Sequence, residues 1–392
     1  MTLWREIIFA LALVAAVTLA CSPAHALVTF NDSHDHIYVT GSFGMSRDSN
    51  VFANSDNQGD FVYNAGLTAE YTRRAGWIGV NGSVAVSASK FGKHTEQNFS
   101  NPSLSLELTK QSGRTTGSLT ISGARESRAD AAVNLRSTSW NFSPGLNLKY
   151  PAGSYTFTSA LGYASRKYTN DTVFANLNTY TAALEAIHLL PAERELIGGY
   201  RYRSSETARN TSTTDHALTL GLSGRLLRGI MGSIRGGFQT RVPHGGLPGT
   251  PTFTSWTASG STVYAINKKI SLNFGLSKDF SITATDSSVD VTSATFSTAY
   301  AFNRRYSLSF SAGWGDSRSL GESGRIVLAL GPPRVLGPQR HDNYANWTTS
   351  FDYSLNEHFK LGLSYNWFEN WSTTSYADFI RTSESLSVSS RW

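Results

Sequence analysis

The sequence predicts an all-β protein, a transmembrane antiparallel up-and-down β-barrel of about 18 strands. Three observations support this fold class. Apolar and polar residues alternate with period two along most of the chain, short turns alternate with longer ones, and the chain ends on Trp392. The last ten residues place Leu386, Val388 and Trp392 on one face of a strand and Ser385, Ser387 and Arg391 on the other. Outer-membrane barrels present one such face to lipid and the other to a lumen.

The N-terminus predicts an exported chain. Arg5 precedes an apolar run from Ile7 to Leu19, and Ala24-His25-Ala26 follows the run. This pattern is typical of a secretory signal peptide, and the run is shorter than the ~20 apolar residues that a membrane helix needs. We expect cleavage after Ala26, with residues 1–26 as signal peptide and 27–392 as the barrel domain. Cleavage as a lipoprotein at Cys21 is the alternative, although the residues that precede it fit that signal poorly.

Composition excludes several classes of site. Cys21 is the single cysteine, so a chain cut after Ala26 has no disulfide framework, thiolate nucleophile or cysteine-based metal site. The mean hydropathy is −0.24, yet aromatic residues make up 12% of the sequence and the net charge is +6. Weak hydropathy with many aromatics suits a barrel whose strands are half in water and whose interfaces carry aromatic girdles. A large secreted all-β protein is the alternative.

Period-two segments and turn residues predict the individual strands. The clearest segments begin at Phe61, Ile78, Leu104, Tyr306 and Phe359, and many run longer than the five or six residues that are usual for a strand. The short turns are expected near Arg73–Gly76, Gln111–Arg114, Tyr150–Gly153, Leu190–Glu193, Leu227–Gly229, Asn267–Lys269, Asn303–Arg305 and Leu355–His358. The long connections are expected near Asp48–Gly59, Gly92–Pro102, Ser127–Ala131, Tyr168–Val173, Ser205–Asp215, Val242–Pro251, Thr283–Ser288, Asp316–His341 and Asn370–Ala377.

This count of turns gives 18 strands with both termini on the periplasmic side, since periplasmic turns are short and external loops long. The strand that ends at Trp392 should pair with the first strand, near His36–Arg47. We expect Trp392 to lie at the periplasmic rim and to serve as an assembly signal. A barrel of this size encloses an aqueous channel.

Charges on the polar faces are candidates for the channel lining, because arginine on the lipid face would cost about 2–4 kcal/mol at mid-depth. The alternative is that these charges pair across strands and only fill space. An excess of arginine would favour anions, which it binds in bidentate fashion when they are carboxylates. The pore-lining candidates are Glu70, Glu107, Glu185, Arg201, Arg203, Asp352 and Lys360, and Asp279 shares their face.

The segment Asp316–His341 differs from the other connections. It contains a short apolar stretch, two consecutive prolines and the basic residues Arg325, Arg334 and Arg340. Loops of this length are usually functional or disordered. We expect the segment to fold into the barrel mouth and limit the pore, and an ordered external hairpin is the alternative.

No pattern predicts catalysis. Asp35–His36, Asp215–His216 and His341–Asp342 are adjacent pairs, but neighbours on one strand point to opposite faces and form no dyad by adjacency. His34 and His36 are too few ligands for a metal. Nucleophile-elbow, P-loop and zinc-binding patterns are absent. We therefore expect no enzyme, no metal and no cofactor.

Several segments resemble the beta-barrel porin 2 family of Gram-negative bacteria, the EpsL-like barrels of exopolysaccharide operons. The resemblance rests on Val39–Phe52, Ala65–Tyr71, Asn101–Leu106 and the strand–turn–strand Tyr353–Tyr365. It implies an outer-membrane channel and transfers no catalytic residue. The long loop around Arg325–Arg340 departs from the pattern.

Three functions follow as hypotheses. The resemblance favours export of an anionic exopolysaccharide, which a lumenal ladder of arginine and aromatic side chains would support. A diffusion porin for small anionic solutes would show charges on opposite walls of a constriction. A sheath around a periplasmic partner, such as a multihaem cytochrome, would show a wide lumen lined by Ser, Gly and Thr. The expected partners are outer-membrane lipid, the barrel-assembly machinery and, for export, polysaccharide-export proteins; we expect no nucleic acid.

Overall fold

The protein is a closed barrel of 18 antiparallel strands with one short strand appended. The computed structural model describes residues 28–30, 35–74, 76–130, 135–170, 172–208, 212–244, 251–320 and 340–392. The strands are β1 (Val28–Phe30), β2 (Asp35–Asp48), β3 (Asp60–Arg73), β4 (Gly79–Phe91), β5 (Phe99–Lys110), β6 (Thr116–Asp130), β7 (Leu135–Ala152), β8 (Tyr155–Tyr168), β9 (Leu177–Leu190), β10 (Arg194–Thr207), β11 (Ser212–Leu227), β12 (Ile230–His244), β13 (Phe253–Asn267), β14 (Ile270–Ile282), β15 (Ser288–Ala301), β16 (Tyr306–Ser319), β17 (His341–Ser354), β18 (Phe359–Ser372) and β19 (Phe379–Arg391).

The barrel closes between its last strand and its first long strand. β19 pairs with β2 from Arg391 opposite Thr40 to Ser383 opposite Asp48. Every other barrel strand pairs with its neighbours in sequence, and β1 pairs only with the start of β2. The strand number and the pairing of the C-terminal strand with the His36–Arg47 region are both confirmed.

The connections alternate in length as the turn residues predict. At one end of the barrel they contain two to five residues, and at the other end four to 21 residues. The long-connection end is extracellular in barrels of this type. The two described helices, Thr95–Gln97 and Ser375–Ala377, are single 3₁₀ turns in these long connections. Among the described residues, no helix is long and apolar enough to cross a membrane.

Alternate residues of every strand point away from the lumen. Many of these residues are apolar, so the outer face of the barrel is apolar. Large side chains stand exposed along this face, including Leu67, Val84, Leu104, Leu161, Leu184, Leu218, Leu220, Ile234, Phe274, Leu363 and Leu386. Exposed aromatics lie towards both ends, with Trp77, Tyr150, Phe302 and Tyr306 at the short turns and Trp140, Trp256, Trp314 and Trp371 at the opposite end. This arrangement matches a lipid-facing band between two aromatic girdles.

The end of the β14–β15 hairpin folds into the lumen. β13 begins at Phe253, yet its pairing with β14 ends where Ala258 lies opposite Lys278. Beyond that point β14 still pairs with β15, up to Ile282 opposite Ser288. Residues 279–288, here called the infolded tip, therefore leave β13 and lie against the inner face of β10–β12. The backbone N–H of Ala175 on the β8–β9 connection donates to the carbonyl of Ala284 on this tip at 2.9 Å.

Two further segments enter the mouth from the long-connection end. The pairing of β6 with β5 stops at Ala124, whereas its pairing with β7 continues to Asp130. Beyond this point the Arg136 guanidinium lies over the ring of Phe99, 5.0 Å from its centroid. In the β2–β3 connection, Val51 is 1% exposed and packs on Val62 and Phe91 of the inner wall. The mouth is thus narrowed from several sides.

The C-terminal tryptophan completes the seam of the barrel. The backbones of Trp392 and Val39 exchange two hydrogen bonds, of 2.8 and 2.9 Å. The indole stacks on the ring of His358 with 4.0 Å between centroids. Both sets of contacts lie at the short-turn rim, where the sequence places Trp392.

Deleting Trp392 should lower the yield of assembled barrel, because the last hydrogen bonds of the β2–β19 seam and the rim stacking are lost together. The fraction of protein that shifts mobility on heating in gel electrophoresis measures assembly. Trp77→Leu is the control, since Trp77 is 71% exposed on the outer face. An equal assembled fraction in the deletion, the control and the parent would contradict a role for Trp392 in assembly.

Candidate solute pathway

Strand register places the predicted lining residues on one face of the sheet. Directly opposed residues of antiparallel strands share a face, and Arg201 lies opposite Ala183 and Ala217 in a row that continues to Gln239 and Ser255. Rows of the same face, followed around the closed sheet, connect all seven candidates. Glu70, Glu107, Glu185, Arg201, Arg203, Asp352 and Lys360 therefore share the inner face.

Five of the inward charges form an arginine–aspartate cluster near the long-connection end. Asp215 on β11 lies between Arg203 on β10 and Arg241 on β12, and both Asp215 and Arg241 are only 1% exposed. Arg241 donates to the two carboxylate oxygens through Nε at 2.7 Å and Nη2 at 2.8 Å. Arg203 donates to the same carboxylate through Nε at 2.8 Å. A buried charge needs such partners because desolvation alone would cost several kcal/mol.

The infolded tip supplies the remaining acid of this cluster. Asp279 accepts hydrogen bonds from Arg201 Nη2 at 2.7 Å and from Arg203 Nη1 at 3.0 Å. The backbone carbonyl of Phe280 accepts from Arg203 at 2.7 Å, and that of Ser281 accepts from Arg241 at 2.8 Å. Since β14 is four strands away from β10, these contacts span the inner surface between them. They hold the tip against this wall.

A second inward pair lies closer to the short turns. Glu185 on β9 and Arg235 on β12 form an ion pair, although two strands separate them. The pair lies over Gly199 and Gly221, where added Cβ atoms would meet the Glu185 side chain at 3.4 Å and the Arg235 side chain at 2.6 Å. These two glycines leave the space in which the ion pair lies flat on the wall.

The other candidates lie towards the short-turn end. Glu70 accepts from Arg391 at 2.9 Å, and Lys360 pairs with Asp352 at 3.0 Å. Glu107 lines a wide cavity of about 620 Å³ with Glu185 and Lys149. Inward charges of both signs are therefore spread along the barrel, and the net charge of +6 does not translate into a uniformly positive lumen.

The structure describes one of the three arginines that are predicted to line a constriction. Arg340 precedes β17 and donates through Nε to the Asp342 carboxylate at 2.8 Å. Arg325 and Arg334 lie outside the described residues, as does the predicted cleavage site at Ala26. The described segments that fold into the mouth belong to other connections, among them the infolded tip.

Sequence reasoning missed Arg166 and Arg241 as inward charges, and it did not assign Asp215 to the lumen. The register puts Arg166 of β8 opposite Asn141 and Leu177, on the inner face. Period-two alternation within β8, β11 and β12 could have assigned these residues to the inner face. The alternation is weak in these strands, because a face of Ala, Gly and Ser is hard to assign to either side.

The side chains of the adjacent Asp and His residues point to opposite faces of the sheet. Asp215 points inward to arginines, whereas His216 lies on the outer face with Nδ1 2.8 Å from the hydroxyl of Tyr200. In the outward pair of Asp316 and His341, His341 Nε2 lies 2.6 Å from the carboxylate, and no serine, threonine or tyrosine hydroxyl is paired with it in the described parts of the chain. Within the described ranges, no group of three or more His, Cys, Asp or Glu side chains could hold a metal ion.

In its fold, this chain is similar to several solved structures of Gram-negative proteins. OccK2 (OpdF) of Pseudomonas aeruginosa matches with a TM-score of 0.50 and 11% identity, over 93% of this chain and 99% of that one. OpdK of the same organism, solved with vanillate, matches with a TM-score of 0.48 and 11% identity over 91% and 99%. The siderophore receptor PirA of P. aeruginosa gives 0.45 and 10% over 90% and 80%.

No family model and no curated protein sequence matches this chain. Likeness at such low identity shows the fold alone. Membership of the beta-barrel porin 2 family therefore stays a prediction that rests on the sequence segments. The chain is a transmembrane antiparallel β-barrel of 18 strands.

Proposed function

We propose that this chain is an outer-membrane channel for small anionic solutes in a Gram-negative bacterium. Residues 1–26 would be removed before the chain reaches the outer membrane. The observation that carries the proposal is the charge balance where the infolded tip narrows the mouth. In the arginine–aspartate cluster, three arginines, Arg201, Arg203 and Arg241, share two aspartates, Asp215 and Asp279. A local positive excess in a confined pathway raises the concentration of anions.

Charges of both signs lie at one level of the barrel. Asp279 of the infolded tip is paired with Arg201 and Arg203 of β10, on the same wall. A diffusion porin is expected to carry charges of both signs at its narrow part, and the paired charges here agree with that expectation only in sign. An exopolysaccharide exporter would need a continuous path for a polymer, and a sheath would need a wide lumen. Segments folded into the mouth from several connections favour neither of these two functions.

Swelling of proteoliposomes tests the proposal. Vesicles that contain the parent protein, with valinomycin to carry the counter-cation, should swell faster in isotonic potassium gluconate than in a neutral sugar of similar size, and they should exclude a large dextran. The preference for the anion comes from the local arginine excess, so this preference should fall with rising salt concentration because salt screens the charges. Empty vesicles and vesicles that contain unfolded protein are the controls.

Equal rates for gluconate and the neutral sugar would contradict the anion preference. Swelling no faster than in empty vesicles would contradict an open channel. Permeation of the dextran would favour polymer export instead.

A further inference from the structure

A small cavity lies behind the infolded tip, between it and the inner wall formed by β7–β10. Its volume is about 230 Å³. Arg166 and Thr179 contribute from the wall, and Phe280 and Ile282 contribute from the tip. The cavity is therefore a pocket beside the solute pathway, and it exists only because β14 leaves β13.

One charge in this pocket is available to a ligand. Arg203 and Arg241 also line it, but their guanidinium groups are bound to Asp215, Asp279 and backbone carbonyls. Arg166 differs, since its Nε donates to the amide oxygen of Asn141 at 3.0 Å and no carboxylate pairs with it in the described chain.

The amide of Asn141 also fixes the direction of Arg166. Its nitrogen donates to Glu126 at 3.1 Å, and the other oxygen of Glu126 lies 3.7 Å from Arg128. This chain of contacts orients Asn141, leaving the two terminal nitrogens of Arg166 for a ligand. Two parallel N–H donors match the geometry of a single carboxylate.

Part of the pocket's lining is apolar. Leu177 lies next to Arg166 on the wall, and Ile282 and Phe280, which is 1% exposed, contribute from the tip. Phe280 is on the outward face of β14 by alternation, opposite Asp290. Because the tip has moved inside the barrel, its ring packs beneath the Arg241 guanidinium, 5.1 Å from the ring centroid.

We infer that this pocket binds a small monocarboxylate with a compact apolar body, such as an aromatic ring. A cavity of about 150 Å³ accommodates benzene, so 230 Å³ has room for a ring and one carboxylate. One unpaired cation calls for one negative charge, and the apolar side chains among the lining residues disfavour a hydrated or multiply charged anion. The inference rests on the proposed function and names the solute class that the channel would hold before passage.

Binding of benzoate to the purified, folded barrel tests the inference. Titration calorimetry in detergent should show benzoate binding more tightly than acetate, which lacks the ring, and than benzyl alcohol, which lacks the charge. Arg166→Gln should weaken benzoate by about tenfold or more, since it removes a charge-assisted hydrogen bond. Lys360→Gln is the matched control, because it removes a lumenal charge far from the pocket.

Leu177→Ala provides a second variant on the apolar side, expected to weaken benzoate and leave acetate unchanged. Each variant is compared only as heat-modifiable, folded protein. Equal affinity for benzoate in Arg166→Gln and Lys360→Gln would overturn the inference, as would acetate binding as tightly as benzoate in the parent. Gluconate-selective swelling without benzoate binding would refute the pocket alone, whereas benzoate binding without swelling would refute the channel alone.

Discussion

Replacing Asp215 with Asn should destabilise the barrel by about 3–5 kcal/mol, the usual cost of removing one partner from a buried ion pair. Asp215 and Arg241 are each 1% exposed, and Arg203 shares the same carboxylate. Without that charge, two guanidinium groups lose their common partner inside the wall. The free energy of unfolding in urea, measured with barrels refolded into vesicles, reports the change.

Asp352→Asn is the matched control for this variant. Asp352 pairs with Lys360 at 3.0 Å, but the lysine side chain is 47% exposed. An ion pair in such contact with water contributes about 0–1 kcal/mol. If both variants lost the same stability, the arginine–aspartate cluster could not be the internal support that its burial indicates.

Removing the infolded tip should produce the largest change in conduction. Replacing residues 280–290 with Asn-Gly joins Asp279 to Val291, which lie opposite each other in the β14–β15 hairpin, and Asn-Gly suits a two-residue hairpin turn. The shortened hairpin can no longer reach the inner face of β10 and β12. Single-channel conductance should rise and anion preference should fall, because the tip no longer narrows the lumen beside the arginine–aspartate cluster.

Deleting Gly324–Gly337 provides a comparison for the shortened hairpin. The sequence predicts that this loop limits the pore, a prediction that lies outside the described residues. If that deletion raised conductance and the shortened hairpin left it at the parent value, the loop would be the constriction and the tip would not.

Local pattern predicted the barrel well because strand periodicity and turn chemistry are short-range properties. The alternation that begins at Phe359 and the turn at Leu355–His358 need no knowledge of distant residues. The pairing of β19 with β2 also followed, since an even number of up-and-down strands brings the termini together. The orientation of Arg201 and Arg203 followed from the cost of a charge in lipid.

The infolded tip could not be predicted in this way. Alternation assigns Phe280 to the outer face with Phe274 and Leu276, yet Phe280 is 1% exposed because the end of β14 has moved inside β12. Whether a strand end leaves its neighbour depends on contacts between distant residues, such as that of Arg203 with the carbonyl of Phe280. The apolar, proline-rich sequence of Asp316–His341 drew attention to a different loop.

The zero-current potential in a potassium chloride gradient tests the central claim most directly. The parent channel in a planar bilayer should prefer chloride, since the arginine–aspartate cluster that holds the tip contains three arginines and two aspartates. Arg201→Glu should shift the potential towards cation preference, because Arg201 contacts the constriction through Asp279 yet is 31% exposed and outside the most buried pair. A parent channel that prefers potassium, or shows no preference, would contradict the account.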